Sequence, residues 1–158
     1  MPLRRVELPP EVPGSLWLSS MPGRFEPWPQ FLSEAEQARL GLVVCLAPRL
    51  EIAEHSPAYH AAVARGRLPF RWTLMPIRNF GLPEDLPAFR ETVQAIAGAL
   101  RNGESVMLHC AAGLGRTGSA AACVLKALGV PAEQALQRVR EAGSNPQNAE
   151  QSGLVDAF

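Results

Sequence analysis

Apolar and polar positions divide the chain into short runs of two rhythms. Ser15 to Ser20, Ser-Leu-Trp-Leu-Ser-Ser, alternates with the period of two expected of a strand. Leu42 to Ala47, Leu-Val-Val-Cys-Leu-Ala, is apolar throughout, which predicts a strand covered on both faces. Arg71 to Ile77 predicts a third strand and Ser105 to His109 a short fourth. The helical rhythm fills the intervals. Ser33 with Glu36 three residues on forms a capping-box pattern for a helix running to Leu40, with Gly41 as its stop. Glu51 to Arg65 reads as helix, with Pro57 opening a new one after Ser56. Leu86 to Leu100 sets Phe89, Val93, Ile96, Ala97 and Leu100 on one stripe, and Gly103 ends it. Thr117 to Leu128, Pro131 to Ala142 and Asn148 to Ala157 predict three more helices. Residues 1–14 are proline-rich and are expected to lie extended over the surface, and Met21 to Pro29 and residues 78–87 read as loops. Strands alternating with helices predict an α/β layered fold in a single domain, 1–158, without repeats or linkers.

Composition narrows the function classes. The 158 residues are 47% hydrophobic and 19% charged, the balance of a globular domain with a real core. Fifteen basic and fifteen acidic side chains cancel, so neither nucleic acid nor an anionic membrane is an expected partner. Three cysteines, Cys45, Cys110 and Cys123, with no Cys-x-x-Cys pair, suit neither a disulfide framework nor a zinc cage. His55 and His60, five apart on an expected helix, do not face each other as metal ligands would. The opening segment lacks an apolar h-region and no apolar run reaches membrane length, so a cytoplasmic location is expected.

The chemistry concentrates in residues 109–118, His-Cys-Ala-Ala-Gly-Leu-Gly-Arg-Thr-Gly, in a strand–loop–helix context. The loop Ala111, Ala112, Gly113, Leu114 and Gly115 can turn successive N–H groups inward, and with the following helix N-terminus it makes an anion cradle. A cysteine at the mouth of such a cradle sits in a positive field that favours the nucleophilic thiolate. Arg116 brings a planar fork that holds two phosphate oxygens, and its grip strengthens as charge spreads in the transition state. Thr117 can donate to the sulfur and help it leave, while His109 is expected to support the loop. No metal or organic cofactor is implied. Cys123 and the tryptophans Trp17, Trp28 and Trp72 read as packing residues.

His-Cys-x5-Arg-Thr-Gly resembles the signature of the protein tyrosine phosphatase superfamily. The wider pattern resembles the small dual-specificity phosphatases, most closely the kinase-associated phosphatase type. The likeness runs from Leu16 to the C-terminus through Met21-Pro22-Gly23, Leu42 to Leu46 and Met75-Pro76-Ile77. It implies a twisted sheet of about five strands with helices on both faces. It also implies a water-positioning pair at Gln147 and Gln151, and a cysteine, Cys45, placed behind Cys110 where oxidation could trap the two as a disulfide. The family takes its general acid from an aspartate about thirty residues before the cysteine. This chain departs from that pattern, with Asn79 at the matching place, 31 residues before Cys110. Asp85 and Glu84 lie in the same loop and are open to two readings, as a replacement acid or as caps for the helix that follows.

The loop between Cys110 and Arg116 carries no lysine, which favours a singly phosphorylated substrate over a polyphosphorylated inositol. The expected function is a monomeric phosphatase acting on phosphorylated protein, of tyrosine or dual specificity. The rivals are a phosphate-binding module with little turnover, which Asn79 favours, and a phosphatase for a small metabolite, lipid or RNA phosphate.

Overall fold

The computed structural model describes residues 3–158. Its elements are β1 Arg4–Val6, β2 Ser15–Ser19, α1 Trp28–Gln37, β3 Leu40–Cys45, α2 Arg49–His55, α3 Pro57–Ala64, β4 Arg71–Leu74, α4 Leu86–Arg101, β5 Ser105–His109, α5 Gly115–Ala127, α6 Ala132–Glu141 and α7 Ala149–Ala157. Five strands form one sheet in the order β1-β2-β5-β3-β4. The last four of these are parallel, and β1 pairs antiparallel with β2 at the edge.

Side chains alternate across the sheet, and each face has its own helices. Leu16, Leu18, Leu42, Val44, Val106 and Leu108 face a core built with α4, α5, α6 and α7. Val43 and Met107 face the other way, onto Phe31 and Ala35 of α1. Cys45 points to that second side as well, where Ile52 of α2 and Tyr59 of α3 pack. The uninterrupted apolar run of β3 is therefore explained by burial on both faces. Among the described residues no helix is long and apolar enough to cross a membrane.

Four expectations from the sequence need correction. Helix α1 starts at Trp28, not beyond Ser33, so the Ser33–Glu36 pattern lies mid-helix and caps nothing. Pro27 is the N-cap and Pro29 sits in the first turn, where the N–H that proline lacks has no helical partner anyway. Those prolines start the helix that they were expected to exclude. Arg39, with φ +53°, makes the turn assigned to Gly41, and Leu40 and Gly41 already belong to β3, across a register shift against β5. The N-terminal segment is extended but not superficial: Arg4–Val6 forms the fifth strand, and Leu3 and Val6 are buried. Its three residues are too few to show a period, and only pairing with β2 defines them. Strand β4 stops at Leu74, though Met75 and Ile77 still donate backbone hydrogen bonds to Cys45 and Leu46.

Candidate active site

The four parallel strands end on the same side, and the segment after each contributes to one cavity. Arg24 follows β2, Glu51 and His55 follow β3, Asn79 and Phe80 follow β4, and Cys110 to Arg116 follow β5. The cavity has a volume of about 350 Å³. A crevice beyond the carboxyl ends of parallel strands is where sheets of this kind bind ligands.

Between β5 and α5 the chain turns on Gly113, at φ +75°, where a Cβ would stand 2.6 Å from the Ser19 carbonyl oxygen. No other residue type combines that backbone with that approach. The turn aims the Gly113 N–H at Cys110 Sγ, 3.2 Å away, and Thr117 Oγ1 donates to the same sulfur at 3.0 Å. The carbonyl of Gly113, in the next peptide along, turns toward β1 and the end of α6. It accepts from Arg4 Nη2 at 2.8 Å and from Ser144 Oγ at 2.5 Å. Arg4 Nη1 donates to the Ala142 carbonyl at 2.7 Å and to Ser144 Oγ at 3.0 Å. Strand β1 and the end of α6 are thus joined to the back of the loop. Burial pulls the Arg4 pKa below its ordinary value, while the negative charge of Cys110 works in the opposite direction.

The donors of Arg116 can be counted. A guanidinium has five N–H groups. Nη1 donates to Glu51 Oε2 at 3.0 Å and to the Ile77 carbonyl at 2.9 Å, and Nη2 donates to Glu51 Oε1 at 2.8 Å. The Nε–H and the second Nη2–H remain, side by side on one edge, and that edge is the fork that fits two oxygens of a phosphate. Burial opposes the Arg116 charge, but the Glu51 hydrogen bonds and the Cys110 charge outweigh it and raise the pKa.

His109 is fully buried. Its Nδ1 lies 3.1 Å from the Cys110 carbonyl, which only accepts, so Nδ1 carries the proton. Nε2 then accepts from Tyr59 Oη at 2.7 Å, and that oxygen accepts from Trp72 Nε1 at 2.7 Å. One directed chain from β4 through α3 ends on the backbone of the nucleophile. Burial lowers the His109 pKa to about 4, with the Arg116 charge adding to the effect, and a neutral ring is what the chain of donors requires.

The segment after β4 is tied down at three carbonyls: Ile77 to Arg116, Phe80 to Asn148 Nδ2 at 2.8 Å, and Gly81 to Gln151 Nε2 at 3.4 Å. Gln147 and Gln151 both lie against Gly115, where an added Cβ would come within 2.7 Å of each side-chain oxygen. Asn79 lines the cavity. Asp85 does not; its carboxylate accepts from the Ala88 N–H at 3.0 Å and caps α4, and Glu84 is exposed outside the cavity. Cys45 is buried and donates to the Ala47 carbonyl at 3.3 Å, and burial pushes its pKa up to about 12, away from the thiolate that disulfide formation needs. Cys123 is buried in the α5 core and is likewise pushed up to about 12.

Glu51, Arg4, Ser144 and Tyr59 were not singled out from the sequence. Glu51 lies 65 residues from Arg116, and Arg4 109 residues from Gly113, so no local pattern marks either pair.

A family model described as the tyrosine phosphatase family matches residues 60–137. Among solved structures, the kinase associated phosphatase with serine substituted for its catalytic cysteine superposes with a TM-score of 0.83 at 20% identity, covering 99% of this chain and 92% of that one. Tk-PTP in its active form gives a TM-score of 0.69 at 25% identity over 92% of each chain. Human DUSP28 gives 0.68 at 21% identity over 99% of this chain and 92% of its own. No curated protein sequence matches the chain significantly.

Two outcomes follow from the buried network. Burial holds the His109 pKa at about 4, below the ordinary value of 6.5 that the ring regains on unfolding. Between these values the unfolded chain takes up a proton that the folded chain refuses, so stability falls as pH drops through that window and is full above it. The loss between pH 7.5 and pH 5 is about 2 kcal/mol from this group, readable as a shift in urea midpoint that His109→Gln removes. Arg4→Met leaves the Gly113 and Ala142 carbonyls short of donors, at a cost of about 1–3 kcal/mol. Thermal denaturation should show lower stability, and calorimetry weaker binding of inorganic phosphate.

Proposed function

We propose that the chain is a cysteine-dependent phosphatase of the tyrosine phosphatase type, that Cys110 is its nucleophile and that its reaction passes through a phosphocysteine, a reading supported by the family model over residues 60–137 and by the Cys110-to-Arg116 loop. The observation that carries this is the convergence of the Gly113 N–H and the Thr117 hydroxyl on Cys110 Sγ, beside the unengaged edge of Arg116. The loop from Ala111 to Gly115 and the Arg116 fork hold the three non-bridging oxygens. The Cys110 thiolate attacks phosphorus in line, forming the S–P bond as the P–O bond to the leaving group breaks. Water held by Gln147 and Gln151 then attacks phosphorus, and Cys110 departs as thiolate with Thr117 donating to it.

The substrate is a singly phosphorylated protein, of tyrosine or dual specificity. The loop brings no lysine for extra phosphates, and the cavity mouth is flanked by the exposed side chains of Phe80 and Leu114. These suit the apolar neighbours of a phosphorylated residue better than a highly charged headgroup. We read the enzyme as a cytoplasmic monomer.

The test is hydrolysis of p-nitrophenyl phosphate by the purified chain. Cys110→Ser should abolish turnover while retaining phosphate binding, and no turnover by the unaltered chain would return it to the class of binding modules. Thr117→Ala should slow the second step, so that rapid-quench measurements show phosphocysteine accumulating after a burst of p-nitrophenol.

A further inference from the structure

Expulsion of an alkoxide or phenoxide needs a proton, and the place that supplies it in this family holds Asn79, whose amide is not an acid. The two carboxylates downstream are elsewhere: Asp85 caps α4, and neither it nor Glu84 lines the cavity. The titratable groups that do line it are Arg24, Glu51, His55, Cys110 and Arg116. The arginines hold their protons and Cys110 is the nucleophile. Both Glu51 oxygens accept from Arg116, and a proton on either would cost the fork its support. His55 remains. It is the last residue of α2, four residues on from Glu51 and therefore on the same face of the helix, and it is only half-buried at the cavity wall.

We propose that His55 is the proton donor to the leaving oxygen, a role that in this chain has passed from the segment after β4 to the one after β3. The proposal rests on the phosphatase reading. In the first step the Cys110 sulfur forms the S–P bond, the P–O electron pair goes to the leaving oxygen, and that oxygen takes a ring N–H proton of the imidazolium. The product alcohol leaves, and the ring stays neutral. In the second step the neutral ring takes a proton from the attacking water as the S–P bond breaks, returning the imidazolium, the thiolate and inorganic phosphate. A histidine fits both directions because its ring nitrogens can each give or take a proton. Asn79 then remains a polar wall of the cavity.

The experiment is a leaving-group series, from p-nitrophenyl phosphate through phenyl phosphate to an alkyl phosphate, run on the full chain, Cys110→Ser, His55→Asn, His55→Gln and Asp85→Asn. With His55 as donor, both His55 variants lose about a hundredfold in kcat/KM on phenyl phosphate and far less on p-nitrophenyl phosphate. The slope against leaving-group pKa therefore steepens. Asn79→Asp placed in the His55→Asn background should restore much of the loss. Equal losses along the series would mean that His55 only binds substrate, and a slope steepened by Asp85→Asn instead would make Asp85 the acid; either result overturns the proposal. Cys110-independent turnover, or none in the unaltered chain, would overturn the phosphatase reading and this proposal with it. Circular dichroism of each variant confirms that slopes are compared between folded proteins.

Discussion

An anion cradle made of backbone has a fixed cost: every peptide that turns its N–H inward turns its carbonyl outward. In this protein the outward carbonyl of Gly113 is held by Arg4 and Ser144. That grip explains features that otherwise look unrelated. A three-residue strand at the sheet edge carries Arg4 to the back of the loop. The chain after α6 runs close to the loop because Ser144 must reach it. Arg4 accepts burial, with its lowered pKa, because three oxygens on two segments receive its donors. Without these contacts the peptide joining Gly113 to Leu114 would be free to rotate, directly beside the peptide whose N–H reaches Cys110 Sγ.

Charge in the site is arranged by the same logic. Arg116 gives three donors to protein acceptors and keeps one edge for a ligand, so its orientation is set before anything binds. His109 sits behind the nucleophile as a neutral ring, ordered by Tyr59 and Trp72, and adds structure without a second positive charge. Positive charge is left to the groups that face the cavity.

The candidate site was legible in the sequence because it is local. A strand, a five-residue loop with two glycines and a helix carry Cys110, Arg116 and Thr117 within eight residues. The apolar run from Leu42 likewise announced a strand buried on both sides. Two kinds of feature were not legible. The prolines before and within α1 stand where a helix can use them or a loop can, and the packing of Phe31 and Ala35 on Val43 and Met107 decides between these. Glu51, Arg4 and Tyr59 act through partners as far as 140 residues away, and only the sheet order brings them together. The likeness to known phosphatases supplied the fifth strand in number but not in place.

The segment from Ile77 to Gly81 is fastened to Arg116 at one end and to α7 at the other. Any outward swing of this segment breaks these hydrogen bonds first, and one of them is made by the arginine that the loop presents. Movement of the rim and the orientation of Arg116 are therefore tied to one another.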